Sequence, residues 1–128
     1  MTKARQSILD LLLQVKEPVS ASDLAKQLEH ACDPATVYRN LHYLEDHNLA
    51  TSFILHCSEH GTERYYTAQE GGHHHWFHCE KCHRFIDIGS CLYEEQLKRF
   101  EEEHDFIIHD HTFFLTGICH ACKMAALL

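Results

Sequence analysis

His73-His74-His75-Trp76-Phe77-His78-Cys79-Glu80-Lys81-Cys82 places four histidines and two cysteines within ten residues, just past the chain's midpoint. Cys79 and Cys82 form a C-x2-C knuckle, and a second, Cys119-His120-Ala121-Cys122, follows near the C-terminus. Two knuckles so spaced match a structural tetrathiolate zinc site, whose sulfur donors close all four corners of a tetrahedron. Such a cage stabilises a small domain with a thin apolar core. The alternative is a pair of redox dithiols, but redox C-x2-C pairs ordinarily precede a helix in a different fold. The imidazoles upstream exceed what a four-cysteine cage uses.

Downstream of the glycines, His73–Cys79 reads as a strand, with His73 and His75 on one face and His74, Trp76 and His78 on the other. The knuckle turns the chain into a second strand, Arg84–Ile88, carrying Asp87. Ser90 can cap a helix from about Cys91 to His104, whose Glu101-Glu102-Glu103 end is solvated. Phe106–Leu115 is expected as a long third strand, with Ile107, His109, His111 and Phe113 on one face. This arrangement predicts a second metal site of His73, His75, Glu94 and His111, a nitrogen-and-oxygen set for a borderline divalent ion. A looser group joins His74 and Asp87 to Cys57 and His60 of the first half. Each histidine alone is as readily a surface or core residue, and Cys57 as readily a small buried hydrophobe. Cys32 and Cys91 read as structural. The apolar tail Ala125-Ala126-Leu127-Leu128 suits packing on a partner subunit.

Upstream, residues 69–72 read as a polar, flexible linker between residues 1–68 and 73–128. Residues 3–16 carry an amphipathic stripe of Ile8, Leu9, Leu12, Leu13 and Val15, stopped at Glu17-Pro18. Ser20 or Ser22 can cap a second helix through about Glu29. Asp33 at the N-cap and Pro34 at the first turn start a third, running to about His47 with Asn48 as its C-cap. Ala50–Leu55 and Arg64–Thr67 then alternate like the strands of a hairpin. Three helices and a hairpin are the order of a winged helix-turn-helix, which presents the third helix to the major groove. Ala35, Thr36, Tyr38 and Arg39 are then the DNA-facing residues. The same periodicity also fits a three-helix packing module with an exposed Tyr-Arg pair.

Composition narrows the choice. With 128 residues, 45% of them hydrophobic, the chain suits one domain or two small ones. No apolar run is long enough to span a membrane, and Asp10 interrupts the only candidate for a signal peptide. Seven cysteines without an export signal point to reduced thiols and a cytoplasmic protein. The formal charge of −8 includes −3 in residues 1–68 (6 Lys/Arg, 9 Asp/Glu) and −5 in residues 69–128 (5 against 10). Neither half is a basic patch, so DNA binding must rest on local cations such as Lys3, Arg5, Lys26 and Arg39. No phosphate loop, Ser-His-Asp order or paired-carboxylate pattern indicates an enzyme.

Ala35-Thr36-Val37-Tyr38-Arg39-Asn40-Leu41, the histidine run into Cys79-x2-Cys82, and Cys119-x2-Cys122 together resemble the Fur (ferric uptake regulator) family over nearly the whole chain. The resemblance implies an α+β protein, an N-terminal winged helix-turn-helix followed by a small α/β dimerisation domain. It implies a homodimeric, metal-dependent repressor of metal-ion uptake that binds double-stranded DNA at a palindromic operator, with zinc or iron, or else manganese, as co-repressor. Cys79, Cys82, Cys119 and Cys122 match the family's structural zinc cysteines, and His73, His75, Glu94 and His111 a further site. His75 stands where iron-type members carry Asp, which leans toward the zinc-sensing branch. The usual sensing site departs from the pattern. His74 and Asp87 match it, but Trp76 replaces a histidine, Pro18 another, and Thr67 a glutamate, so either Cys57 or His60 completes the set or the register of the histidine run is shifted by one. A peroxide-sensing regulator of the same family is the related alternative. A zinc metalloenzyme using His73, His75 and His111, or a metal store, is the alternative from another class.

Overall fold

A computed structural model describes residues 1–69 and 74–127, apart from the Ser90 side chain. His73 and most of the expected linker lie outside the described residues. The chain divides into two compact units, Met1–Gly71 and Gly72–Leu128.

In the first unit, helix α1 (Lys3–Val15) is followed by a two-residue strand β1 (Val19–Ser20), helices α2 (Ala21–Gln27) and α3 (Pro34–Asp46), and strands β2 (Ala50–Cys57) and β3 (Gly61–Ala68). Each helix begins on a side-chain cap. Thr2 accepts from the Arg5 N–H, Ser20 from Asp23 and Asp33 from Thr36. These bonds satisfy amide donors that the first turn leaves without a helical partner. At the other end of α3, Asn48 takes a left-handed φ of 60°. The Leu49 N–H then returns to the Leu44 carbonyl at 2.8 Å and that of Asn48 to Glu45 at 3.1 Å. That pair of bonds is a Schellman closure.

Ile8 and Leu12 of α1, Leu24 of α2 and Val37, Leu41 and Leu44 of α3 pack with Ala50 and Tyr66 into one core. β2 and β3 form an antiparallel hairpin from Ala50↔Ala68 to Cys57↔Gly61, and β1 pairs with the far edge of β3. Gly61, at φ 76°, takes the turn residue's left-handed conformation. The strands run further toward the turn than alternation predicts. β1 is missed because two residues carry no periodicity.

The second unit is built on strand β4 (His74–Cys79), flanked by β5 (Phe85–Ser90) and β6 (Phe114–Gly117). β4 pairs with β5 antiparallel and with β6 in parallel, Trp76↔Phe114 to Cys79↔Gly117. Helices α4 (Glu94–His104) and α5 (His120–Ala126) complete it. The expected long strand Phe106–Leu115 is corrected: only its end is strand. Asp105 closes α4 at φ 53°. The Ile108 N–H then bonds the Glu101 carboxylate at 2.9 Å, and that of His111 the Asp110 carboxylate at 2.9 Å. Side chains take donors that a ladder would have used, so the segment stays irregular. α4 starts at Glu94 rather than Cys91. α5 occupies a tail in which no helix was expected.

Pairing shifts between His74↔Ser90 and Trp76↔Asp87, which sets Ile88 and Gly89 opposite His75. Gly89 has φ 90°, and its N–H bonds the Asp87 carboxylate at 2.7 Å. This is a bulge, and it re-aims the chain just before Cys91. Among the described residues no helix is long and apolar enough to cross a membrane.

Candidate metal centres and nucleic-acid surface

The parallel register of β4 with β6 carries the two knuckles to one place. Cys79 ends β4, and Cys119 follows β6 by two residues and caps α5. Cys79, Cys82, Cys119 and Cys122 present their sulfurs within 4.8 Å of one another. All four are free thiols. Cys82 Sγ lies 3.8 Å from Cys119 Sγ. With metal–sulfur bonds of about 2.3 Å, the sulfurs of a regular zinc tetrahedron stand about 3.8 Å apart. The donor set fits zinc.

The backbone prepares the cage. Cys79 is fully buried, and its sulfur accepts N–H bonds from Cys119 at 3.4 Å and Cys82 at 3.5 Å. The Cys119 amide, followed by those of Cys82 and Lys81, lowers the Cys79 thiol to about 5. The Cys122 amide lowers Cys119 in the same way. The neighbouring Cys119 sulfur pushes Cys122 up to about 12. The four sulfurs lie close enough for the charge on one to disfavour charge on the next. A divalent ion among them would favour the thiolate form of all four.

A second cluster forms at the other end of β4. His75, half-buried His111 and half-buried Cys91 bring their ligand atoms within 4.8 Å of one another. His75 is 6% exposed. Of the four residues expected there, the structure brings His75 and His111 together. It leaves Glu94 exposed on the first turn of α4, outside the cluster. His73 lies outside the described residues. Cys91, expected as a structural residue, is the member that sequence reading missed. The antiparallel pairing of β5 with β4 was the available signal, since the residue after Ser90 must emerge beside the start of β4.

The looser group divides into two pairs, one in each unit. His74 Nδ1 meets the Asp87 carboxylate at 2.9 Å, with both side chains substantially exposed. Cys57 Sγ lies 3.5 Å from His60 Nδ1 within the first unit. The Cys57 sulfur raises the His60 imidazole above its ordinary range. Trp76 and Pro18 are buried, and Thr67 is hydrogen-bonded to Thr51 at 3.0 Å.

On α3, Ala35, Tyr38 and Arg39 are exposed, and Thr36 is half-buried. Arg39 donates to the Thr36 hydroxyl at 3.2 Å. Behind this face, Asn40 bonds the Thr36 carbonyl at 3.0 Å and accepts from Arg5 Nε at 2.9 Å. The Arg5 guanidinium also lies 3.5 Å from the Tyr43 ring centroid. Arg5 is therefore an internal brace, not the free cation that its position in the sequence suggested.

A three-helix winged unit with an exposed third helix, joined to a unit that gathers four cysteines, defines the class of metal-responsive DNA-binding regulators. The ferric uptake regulator family matches residues 1–116. The ferric uptake regulation protein of Bacillus subtilis is 30% identical over 129 residues, covering 96% of this chain and 85% of its own. Among solved structures, the Vibrio cholerae ferric uptake regulator is 27% identical with a TM-score of 0.65, covering 93% of this chain and 91% of its own. A zinc uptake regulator complexed with zinc and DNA shares the fold at a TM-score of 0.72 and 21% identity, covering 99% of this chain and 85% of its own. This chain belongs to the ferric uptake regulator family. It is accordingly a metal-responsive transcriptional regulator and not an enzyme.

Proposed function

We propose that the chain is a metal-dependent repressor of metal-ion uptake, acting as a homodimer on a palindromic operator, with zinc as the favoured co-repressor. One observation carries the reading. The exposed α3 face and the four-cysteine cage share a chain with a separate imidazole pair, His75 and His111, whose Nε2 atoms stand 3.4 Å apart. Structural zinc in the cage and an exchangeable ion at the second centre give separate duties to two donor sets. Ala35, Thr36, Tyr38 and Arg39 read the DNA.

Dimerisation has its own support. α4 buries no residue within its chain, and Leu92, Tyr93, Phe100, Phe106 and Ile107, on it or within three residues of its ends, are exposed. A second copy covers that face. It also supplies the two half-sites that a winged-helix dimer reads about one helical turn apart.

Bound metal supplies positive charge and ties together the segments that carry its ligands. The coupling acts by favouring the dimer arrangement that matches the operator, and is expected at about 5–150-fold in affinity. The test titrates apo-protein with zinc, ferrous iron and manganese while following binding to palindromic DNA. A gain largest with zinc, and lost in Tyr38→Ala and Arg39→Ala, supports the reading. No gain with any metal overturns it. A gain only with iron, abolished by hydrogen peroxide, favours the peroxide-sensing alternative.

A further inference from the structure

We propose that Cys91 is a thiolate ligand of the second metal centre, completing a His75–Cys91–His111 triad in place of Glu94 and selecting zinc over ferrous or manganous ions. The inference deepens the metal-regulator reading and rests on it only in taking this centre as the regulatory one.

The geometry carries the assignment. Cys91 Sγ lies 3.5 Å from His111 Nε2, and that nitrogen lies 3.4 Å from His75 Nε2. With zinc–sulfur bonds of about 2.3 Å and zinc–nitrogen bonds of about 2.05 Å, tetrahedral edges are about 3.6 Å for sulfur–nitrogen and about 3.3 Å for nitrogen–nitrogen. Two edges of the triad already match them. The His75 ring is also set in the tautomer a metal needs. Its Nδ1 lies 2.8 Å from the Phe113 carbonyl oxygen, which can only accept, so Nδ1 carries the proton. In the neutral ring Nε2 then holds its lone pair toward the cluster.

The three ligands come from β4, from the turn between β5 and α4, and from the irregular segment before β6. The triad joins segments that also meet through Phe113, whose ring lies 5.1 Å from that of Tyr93 and 5.4 Å from that of His75. Among the described residues the set offers three ligands, where the cysteine cage offers four. Replacing a carboxylate with a thiolate moves the set from the donors that suit manganese toward those that suit zinc. Without a metal, the same contacts amount to a thiol–imidazole hydrogen bond.

Cobalt distinguishes these states, because thiolate ligation gives a near-ultraviolet charge-transfer band. Full-length protein retaining one zinc per chain in the cage is titrated with cobalt, with zinc content checked before and after. The wild type is expected to bind a further equivalent with tetrahedral absorption and the charge-transfer band. Cys91→Ser loses that band and binds zinc at this centre more weakly than the wild type. Glu94→Gln and Cys57→Ser change neither. If Cys91→Ser fails to fold, Cys91→Asp decides: it is expected to bind cobalt without the band.

Persistence of the band in the Cys91 variant that folds, or weakening by Glu94→Gln in its place, overturns the assignment. Operator binding on the same samples keeps the two readings apart. Loss of metal-dependent DNA binding in the wild type defeats the repressor reading and leaves the cobalt result standing. A band indifferent to Cys91 does the reverse.

Discussion

Arg5 holds α3 from behind through Asn40 and the Tyr43 ring. Asn40 is 6% exposed, so removing its donor strands a buried amide oxygen. Arg5→Ala is expected to cost about 2 kcal/mol, combining an unsatisfied polar atom with a lost cation–π contact. Urea denaturation should show a lower midpoint at unchanged slope, whereas the exposed Lys3→Ala should leave it in place. Asp33 makes a prediction in pH. The Thr36 hydroxyl, and then its N–H, hold the Asp33 carboxyl below its ordinary value of 3.8. A depressed carboxylate stabilises the fold above its unfolded value and loses that contribution as pH falls through the folded one. The melting-temperature gap between wild type and Asp33→Ala should be constant above about pH 5 and close below about pH 4.

Among the elements, the β5 bulge sets the second centre. Nothing lies within 4 Å of a Cβ built on Gly89, so the objection to a side chain there is its φ of 90°. Gly89→Ala should cost about 1 kcal/mol in stability. It should also weaken zinc binding at the His75 centre, as isothermal calorimetry on cage-loaded protein would show, because Cys91 follows the bulge by two residues. The same bulge marks where sequence reading stopped. The first three helices were legible because Asp33-Pro34 and the apolar stripes agree with the tertiary core. The four cysteines were legible because their spacing is local chemistry. Cys91 was not, since its partners lie 16 and 20 residues away and meet only through strand register. Glu94 was expected as the acid that the helix offers to the strand histidines, and the segment before β6 followed an alternation that side-chain hydrogen bonds override. α5 has no buried residue, so it offered no stripe to read.

Across the whole molecule the two units are stabilised by different means. The first has a continuous apolar core, whereas the described buried apolar residues of the second are Trp76, Cys79 and Cys119. Chelation should therefore separate them. Trp76 is the chain's single tryptophan and is 9% exposed. On zinc removal by a strong chelator, its emission should shift to the red and the dimer should dissociate. Far-ultraviolet circular dichroism should retain the signal of α1–α3. Simultaneous loss of both signals would contradict this division.

The cage also has a chronology. Cys79 and Cys119 stand 40 residues apart, yet the amide of the second bonds the sulfur of the first. At about 5–20 residues per second, a ribosome needs about 2–8 s between the two knuckles. Throughout that interval the nascent chain offers only two of its four thiolates, and a two-sulfur chelate exchanges its ion. The winged unit has its whole core translated by then and can fold first. The second unit can close its four-sulfur group only once Cys122 has been added, so the unit that carries α3 is complete in sequence before the unit that gathers the cysteines.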